Sequence, residues 1–258
     1  MRCADTPVST RALSAGRVVD AGLLGHALES LLSANGITGT RAMFAASDAI
    51  ATFRVLTFPA GTPNADVDAA VTAELPLGDA RLGIRQIEIA NGHDGRTVYA
   101  IVWDRSQVEA ISTAAKEAGL KAAVVDLKSL CVARAVPMRS YLICDLTAEP
   151  CEVVLIDDRI PRVRHTFSVE AKSDVAAALA GELKPVLSFY RGAGTNGFDS
   201  EAPILLRSEQ PMAPEDIRRL EQLTGHPVDV VPRPQRIDPG IDHSHYLTCI
   251  GLGMRRHM

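Results

Sequence analysis

The stretch Leu142–Phe167 constrains the fold of this chain more than any other. Leu142, Ile143 and Cys144 form an apolar run that delivers Asp145 into a short turn. Val153–Ile156 form a second run, Asp157 and Asp158 a second turn, and an alternating segment follows to Phe167. Apolar runs of this length, bounded by turn residues, read as the strands of an antiparallel meander. A strand that ends in an aspartate and a tight turn has the layout of a phosphate-binding hairpin. In such a hairpin a glycine after the aspartate lets the backbone approach a phosphate at angles barred to other residues. Here Asp145 is followed by Leu146 and Thr147, so the glycine position holds a β-branched threonine.

With 258 residues the chain can bury a large core, in one domain or two lobes. Hydrophobic content of 47% against 4% aromatics describes an Ala/Val/Leu/Ile core, common in α/β proteins. A net charge of −4 and a pI near 6.0 give no electrostatic footprint for nucleic acid. Five cysteines without paired spacing make no disulfide framework; Cys131, Cys144 and Cys249 lie in apolar runs and read as buried thiols of a reducing compartment. No CxxC or HExxH spacing suggests a metal, and His243 and His245 beside Asp242 read as a solvated loop. No segment has the length of a transmembrane helix or the apolar core of a signal peptide, so a cytoplasmic protein without direct membrane insertion is expected.

Helical spacing of Leu24, Ala27, Leu28, Leu31 and Leu32 predicts a helix over Ala21–Asn35, closed by Gly36. Strands are expected at Arg41–Ala46 and Ile50–Phe58, then a helix from about Asn64, as cap, to Leu75, ended by Pro76. Leu82–Ile89 and Thr97–Trp103 form a hairpin around Asp94-Gly95. Asp104 and Gln107 predict a capping box for the next helix, and Gly119 its end. A strand at Lys121–Val125 leads to a helix over Leu127–Val136. Beyond the meander, a helix over Ser173–Tyr190 should kink or split at Pro185. A glycine-rich connector at Gly192–Gly197 lacks the lysine of a P-loop. Then come a strand at Ile204–Leu206, a helix opening at Pro214, a strand at Val228–Val231 and a last helix over His245–Met254.

Several stretches, in this order, resemble the PilM-type proteins of type IV pilus assembly, relatives of the cell-division protein FtsA in the actin-like ATPase superfamily. Gly16-Arg17-Val18-Val19-Asp20 ahead of the first helix is similar to the family's G-x-V-x-D segment. Phe53-Arg54-Val55-Leu56-Thr57-Phe58-Pro59 is similar to its strand carrying arginine, alternating apolar residues and a closing proline. Ala118-Gly119-Leu120 with Val125-Asp126-Leu127, and Ile250-Gly251-Leu252-Gly253-Met254-Arg255, look like two further family segments. The resemblance implies an α/β, actin-like (ribonuclease H-like) fold of two lobes, residues 1–139 and 140–258. An FtsA/PilM-type αβ subdomain would be inserted at about 47–124 in the first.

Two departures bear on function. The family's opening strand and D-I-G-S-S-x-V-K turn have no counterpart near Met1–Thr10, which implies an N-terminally truncated version of the fold. The edge left on the first lobe's sheet would then be covered by another chain, or partly by Ala4–Leu13. The family's adenosine loop, a strand and a glycine pair, corresponds to Ile204–Glu209, which has no glycine and an added carboxylate. Asp145, Thr147, Ser208 and Glu209 are thus relict nucleotide-loop positions. The expectation is a pseudo-ATPase with no catalytic residue, cofactor or metal, in which Asp145 caps its own turn and Asp157-Asp158 serve the hairpin.

Proteins of this type are cytoplasmic scaffolds recruited to the inner membrane by a short N-terminal peptide of the membrane protein PilN. The implied partner-binding residues are Arg54, Leu56, Phe58, Leu75 and Pro76, although apolar side chains on both faces of that strand suit a covered core equally well. Self-association is a further expectation. An actin-like ATPase or chaperone would instead keep ATP and magnesium through Asp145 and the Gly251 helix. The cytoplasmic actin-like domain of a type II secretion component would continue into a transmembrane helix, and none precedes Met258.

Overall fold

The apolar runs and caps read from the sequence become a mixed α/β structure, a computed structural model that describes residues 3–74, 81–92, 95–147, 150–168, 174–192, 198–235 and 237–255. By packing, the chain divides into Arg2–Leu127 and Lys128–Met258.

The first unit opens with a two-residue hairpin, β1 (Leu13–Ser14) and β2 (Arg17–Val18), followed by α1 (Ala21–Ala34), β3 (Arg41–Ala46) and β4 (Ala51–Phe58). Then come α2 (Asn64–Glu74), β5 (Leu82–Gly92), β6 (Gly95–Asp104), α3 (Arg105–Glu117) and β7 (Lys121–Leu127). Asp20 starts α1 by accepting the Leu23 N–H at 2.9 Å, and Gly36, at φ +58°, ends it. Asp104 starts α3, accepting the Ser106 N–H at 2.9 Å. The expected capping box does not form, because Gln107 Oε1 instead accepts the Val18 N–H at 2.8 Å. That amide belongs to a strand of two residues with few backbone partners, so the glutamine joins the hairpin to α3. Arg17 reinforces the join by pairing with Asp104.

β3 and β7 form a two-stranded parallel sheet, and α3 packs against both α1 and β7. The second sheet of this unit is antiparallel, in the order β4-β6-β5. One face buries Val98, Ala100 and Val102 under Val67 and Val71 of α2. Phe53 pairs with Ile101 in register and its ring meets Tyr99 at 6.1 Å. Both faces of β4 are therefore occupied, which explains its imperfect alternation. The expected turn residues His93 and Asp94 lie outside the described residues.

The second unit consists of α4 (Lys128–Ala135), β8 (Tyr141–Asp145), β9 (Cys151–Asp157), β10 (Ile160–Phe167), α5 (Val175–Gly192), β11 (Ile204–Arg207), α6 (Pro214–Thr224), β12 (Val228–Val230) and α7 (Leu247–Gly253). Its sheet has the order β10-β9-β8-β11-β12, antiparallel through the meander and parallel from β8 to β12. Residues of one parity (Leu142, Cys144, Val153, Leu155, Ile204, Leu206) pack with Leu179, Leu183 and Leu187 of α5 and Leu220 of α6. Those of the other (Tyr141, Ile143, Val154, Ile156, Leu205) pack with Val132 of α4 and with Leu247 and Ile250 of α7. Burial on both faces is why these strands read as unbroken apolar runs. Each such side chain contributes about 1.5–3 kcal/mol over its exposed state.

Three details differ from the sequence reading. α4, which that reading left in the first lobe, packs against α7 in the second unit. α5 is a single helix through Pro185, so of the two expected outcomes the split does not occur. Gly181, four residues earlier, and Pro185 are both exposed, so the carbonyl that the proline leaves unpaired lies on the solvent side. Cys249 is exposed, whereas Cys131 and Cys144 are buried as expected. No described helix is long and apolar enough to cross a membrane.

Candidate functional site

Asp145 ends β8, and the parallel register sets Arg207, the last residue of β11, directly beside it. The antiparallel register with β9 sets Glu152 on its other side. Lys128, the first residue of α4, completes the group: its Nζ donates to Asp145 Oδ2 and to Glu152 Oε2, both at 2.8 Å. Arg207 Nη1 reaches the same Asp145 Oδ2 at 2.7 Å, and Arg164 of β10 pairs with Glu152. The Arg207 guanidinium is fixed further by the Ser244 and His245 carbonyls, each at 2.7 Å.

The cluster is buried, the side chains of Asp145 and Glu152 being only 6% and 8% exposed. Burial alone would raise the Asp145 carboxyl, but the charges of Lys128 and Arg207, with the Lys128 and Thr147 hydrogen bonds, hold it at about 2. Burial would likewise lower the Lys128 ammonium, and the carboxylates of Glu152 and Asp145 outweigh it and raise it above the ordinary lysine value. Three cationic side chains, Lys128, Arg207 and Arg164, thus surround two carboxylates.

The turn after Asp145 is closed in the same way. Thr147 donates its N–H at 3.1 Å and its hydroxyl at 2.6 Å to Asp145 Oδ1. Leu146 donates its N–H to the Arg207 carbonyl at 2.7 Å. Two successive amides that a phosphate-binding turn would offer to a ligand are therefore spent within the protein. Asp145 does cap its own turn, and it is also the hub of an ion network that the sequence reading did not foresee. The signal lay in an apolar strand, Ile204–Leu206, that ends in an arginine at the position parallel to the aspartate.

The other expected positions lie apart from this cluster. Ser208 turns back on its own loop, its hydroxyl donating to the Gln210 carbonyl, and Glu209 is exposed. Asp157 accepts from the Ser140 hydroxyl at 2.6 Å and from the Tyr190 hydroxyl at 2.7 Å, while Asp158, in the turn at φ +51°, pairs with Arg139 at 2.5 Å. Both aspartates serve the hairpin. Among the described residues no group of His, Cys, Asp and Glu is arranged to hold a metal ion.

In the first unit β4 is an outer strand of its sheet. Arg54 is exposed and its Nη1 donates to the neighbouring Phe53 carbonyl at 3.0 Å. Leu56 and Phe58 are half-buried against the α2 cluster. Leu75 and Pro76 lie outside the described residues.

No protein-family model matches this sequence, and no curated protein matches it. Solved structures do. A chain of the PilM–PilN type IV pilus biogenesis complex superposes with a TM-score of 0.72 over 97% of this chain and 90% of that one, at 16% identity. The cytoplasmic domain of EpsL, an inner membrane component of the type II secretion system of Vibrio cholerae, gives a TM-score of 0.51 over 90% and 82%, at 11% identity. At such identities the likeness speaks for the fold, and the fold is the actin-like one of PilM-type proteins expected from the sequence.

Proposed function

We propose that this chain is a non-enzymatic scaffold of a pilus-type assembly, in which the actin-like nucleotide site has been closed by the protein's own cations. The observation that carries the reading is Asp145. Its carboxylate is shared among Lys128, Arg207 and Thr147, so it has no free oxygen for a divalent ion or its water. With the turn amides also spent, the β8 turn offers neither charge nor donors to a nucleotide phosphate. Function then rests on binding, and the likeness to a chain of a PilM–PilN complex supports a short peptide of a membrane-anchored, PilN-like protein as the partner. Such a partner would also recruit the chain from the cytoplasm to the inner membrane.

The inserted sheet is the proposed contact. β4 is an outer strand, a position from which a peptide can extend a sheet. Arg54 presents a guanidinium suited to a peptide carbonyl or carboxylate. Leu56 and Phe58 are half-buried and would line the apolar side. Changing Arg54 to Glu is expected to weaken capture by an immobilised N-terminal peptide of the PilN-like protein about tenfold, with an unchanged melting temperature because the side chain is exposed. Equal capture by the variant, or its unfolding, would refute the assignment of this surface.

A further inference from the structure

α7 is a helix of seven residues, too short to keep its conformation in water without tertiary contacts. Its order therefore depends on what docks it. Leu247 and Ile250 are buried with Val132 of α4 and with Ile143, Val154 and Leu205 of the sheet. Gly251 packs on the Cys131 carbonyl of α4, and Arg134 Nε donates to the Gly251 carbonyl at 3.0 Å.

The entry to α7 is held in another way. Asp242 organises the turn ahead of it: Oδ1 accepts the Ser244 and His245 N–H groups, both at 3.0 Å, and its carbonyl accepts the Tyr246 N–H at 3.0 Å. The turn so formed presents the Ser244 and His245 carbonyls to Arg207, which spends Nε on the first and Nη2 on the second. Its third nitrogen, Nη1, is the one on Asp145. A single buried guanidinium thus spans a strand-end carboxylate and the turn, and its rigid planar fork fixes the two relative to each other. Lys128, at the start of α4, donates to the same Asp145 Oδ2. The first residue of α4 and the entry to α7 are tied to one oxygen.

We infer that residues 242–253 form a latched strap with Arg207 as the latch, so that what Asp145 holds sets how firmly α7 is docked on the sheet. A cation that took Asp145 from Arg207 would leave the guanidinium without its anchor. The strap would then open locally while the sheet stays folded. The strap does not depend on whether a nucleotide binds, since the unliganded chain reports it.

The test is hydrogen–deuterium exchange of the full chain at neutral pH, read as the rate in residues 246–253 relative to that of β9 in the same protein. Arg207→Met is expected to raise this ratio at least about tenfold, because two charge-assisted bonds to the turn are lost. Arg207→Lys keeps a cation beside Asp145 but lacks the fork; it should also raise the ratio, and it serves where the Met variant does not fold. Asp145→Asn should raise it as well, by freeing the guanidinium. Lys128→Met removes a cation from the same carboxylate and leaves the bonds to the turn intact, so it should not raise the ratio. An unchanged ratio in the Arg207 variants, or an equal rise in Lys128→Met, would overturn the latch. An unchanged ratio in Asp145→Asn would overturn its dependence on the carboxylate.

Discussion

Asp145→Asn is expected to destabilise the second unit by about 3–5 kcal/mol, the range for removing one partner of a buried ion pair. The amide keeps the shape of the carboxylate but leaves Lys128 and Arg207 facing a neutral group inside a cluster that is nearly closed to water. Glu152 would then hold two cations alone, Lys128 and Arg164. The effect also has a pH signature. Asp145 is held at about 2 against the ordinary value of 3.8, so the unfolded chain binds the proton more readily. The stabilisation from this group, about 2 kcal/mol, is complete above pH 4 and lost as the pH falls through 2. Urea unfolding of parent and variant between pH 7 and pH 2 would measure both. The curves should converge toward acid, and parallel curves would contradict the charge assignment.

Gly251→Ala is expected to cost about 3 kcal/mol, the upper end of the range for overfilling a packed interior. A Cβ at Gly251 of α7 would lie 1.8 Å from the carbonyl oxygen of Cys131 in α4. The two helices meet there backbone to backbone, so no rotamer change can relieve the contact and the helices must part. That separation would also strain Arg134, whose Nε donates to the Gly251 carbonyl at 3.0 Å. Gly253→Ala, two residues on, meets nothing within 4 Å and is the control, with an expected change within about 0.5 kcal/mol. Denaturant midpoints of the two variants give the comparison, and a Gly251→Ala protein as stable as its control would refute the close approach of α4 and α7.

Much of this architecture could be read from local chemistry. The meander from Tyr141 to Phe167 was legible because burial on both faces makes its strands apolar without interruption, and because aspartates mark both turns. Helix ends at Gly36 and Gly119 were legible because each needs the left-handed conformation that glycine accepts. What escaped was non-local. Gln107 satisfies a capping box in the sequence, yet the Val18 amide, far away in the chain, takes it. Lys128 looks like any basic residue at the start of a helix, and Arg207 like a strand end. Only the register of β8, β9 and β11 brings them to one carboxylate. The missing turn glycine could be seen in the sequence, but not that internal ion pairs stand in its place.

The most direct test of a closed nucleotide site is a calorimetric titration of the full chain with ATP in the presence of magnesium. The expected result is no saturable heat up to millimolar ATP, matched by a melting temperature that does not rise with added nucleotide. A dissociation constant in the micromolar range would mean that Lys128 and Arg207 yield Asp145 to the ligand, and would contradict the closed site.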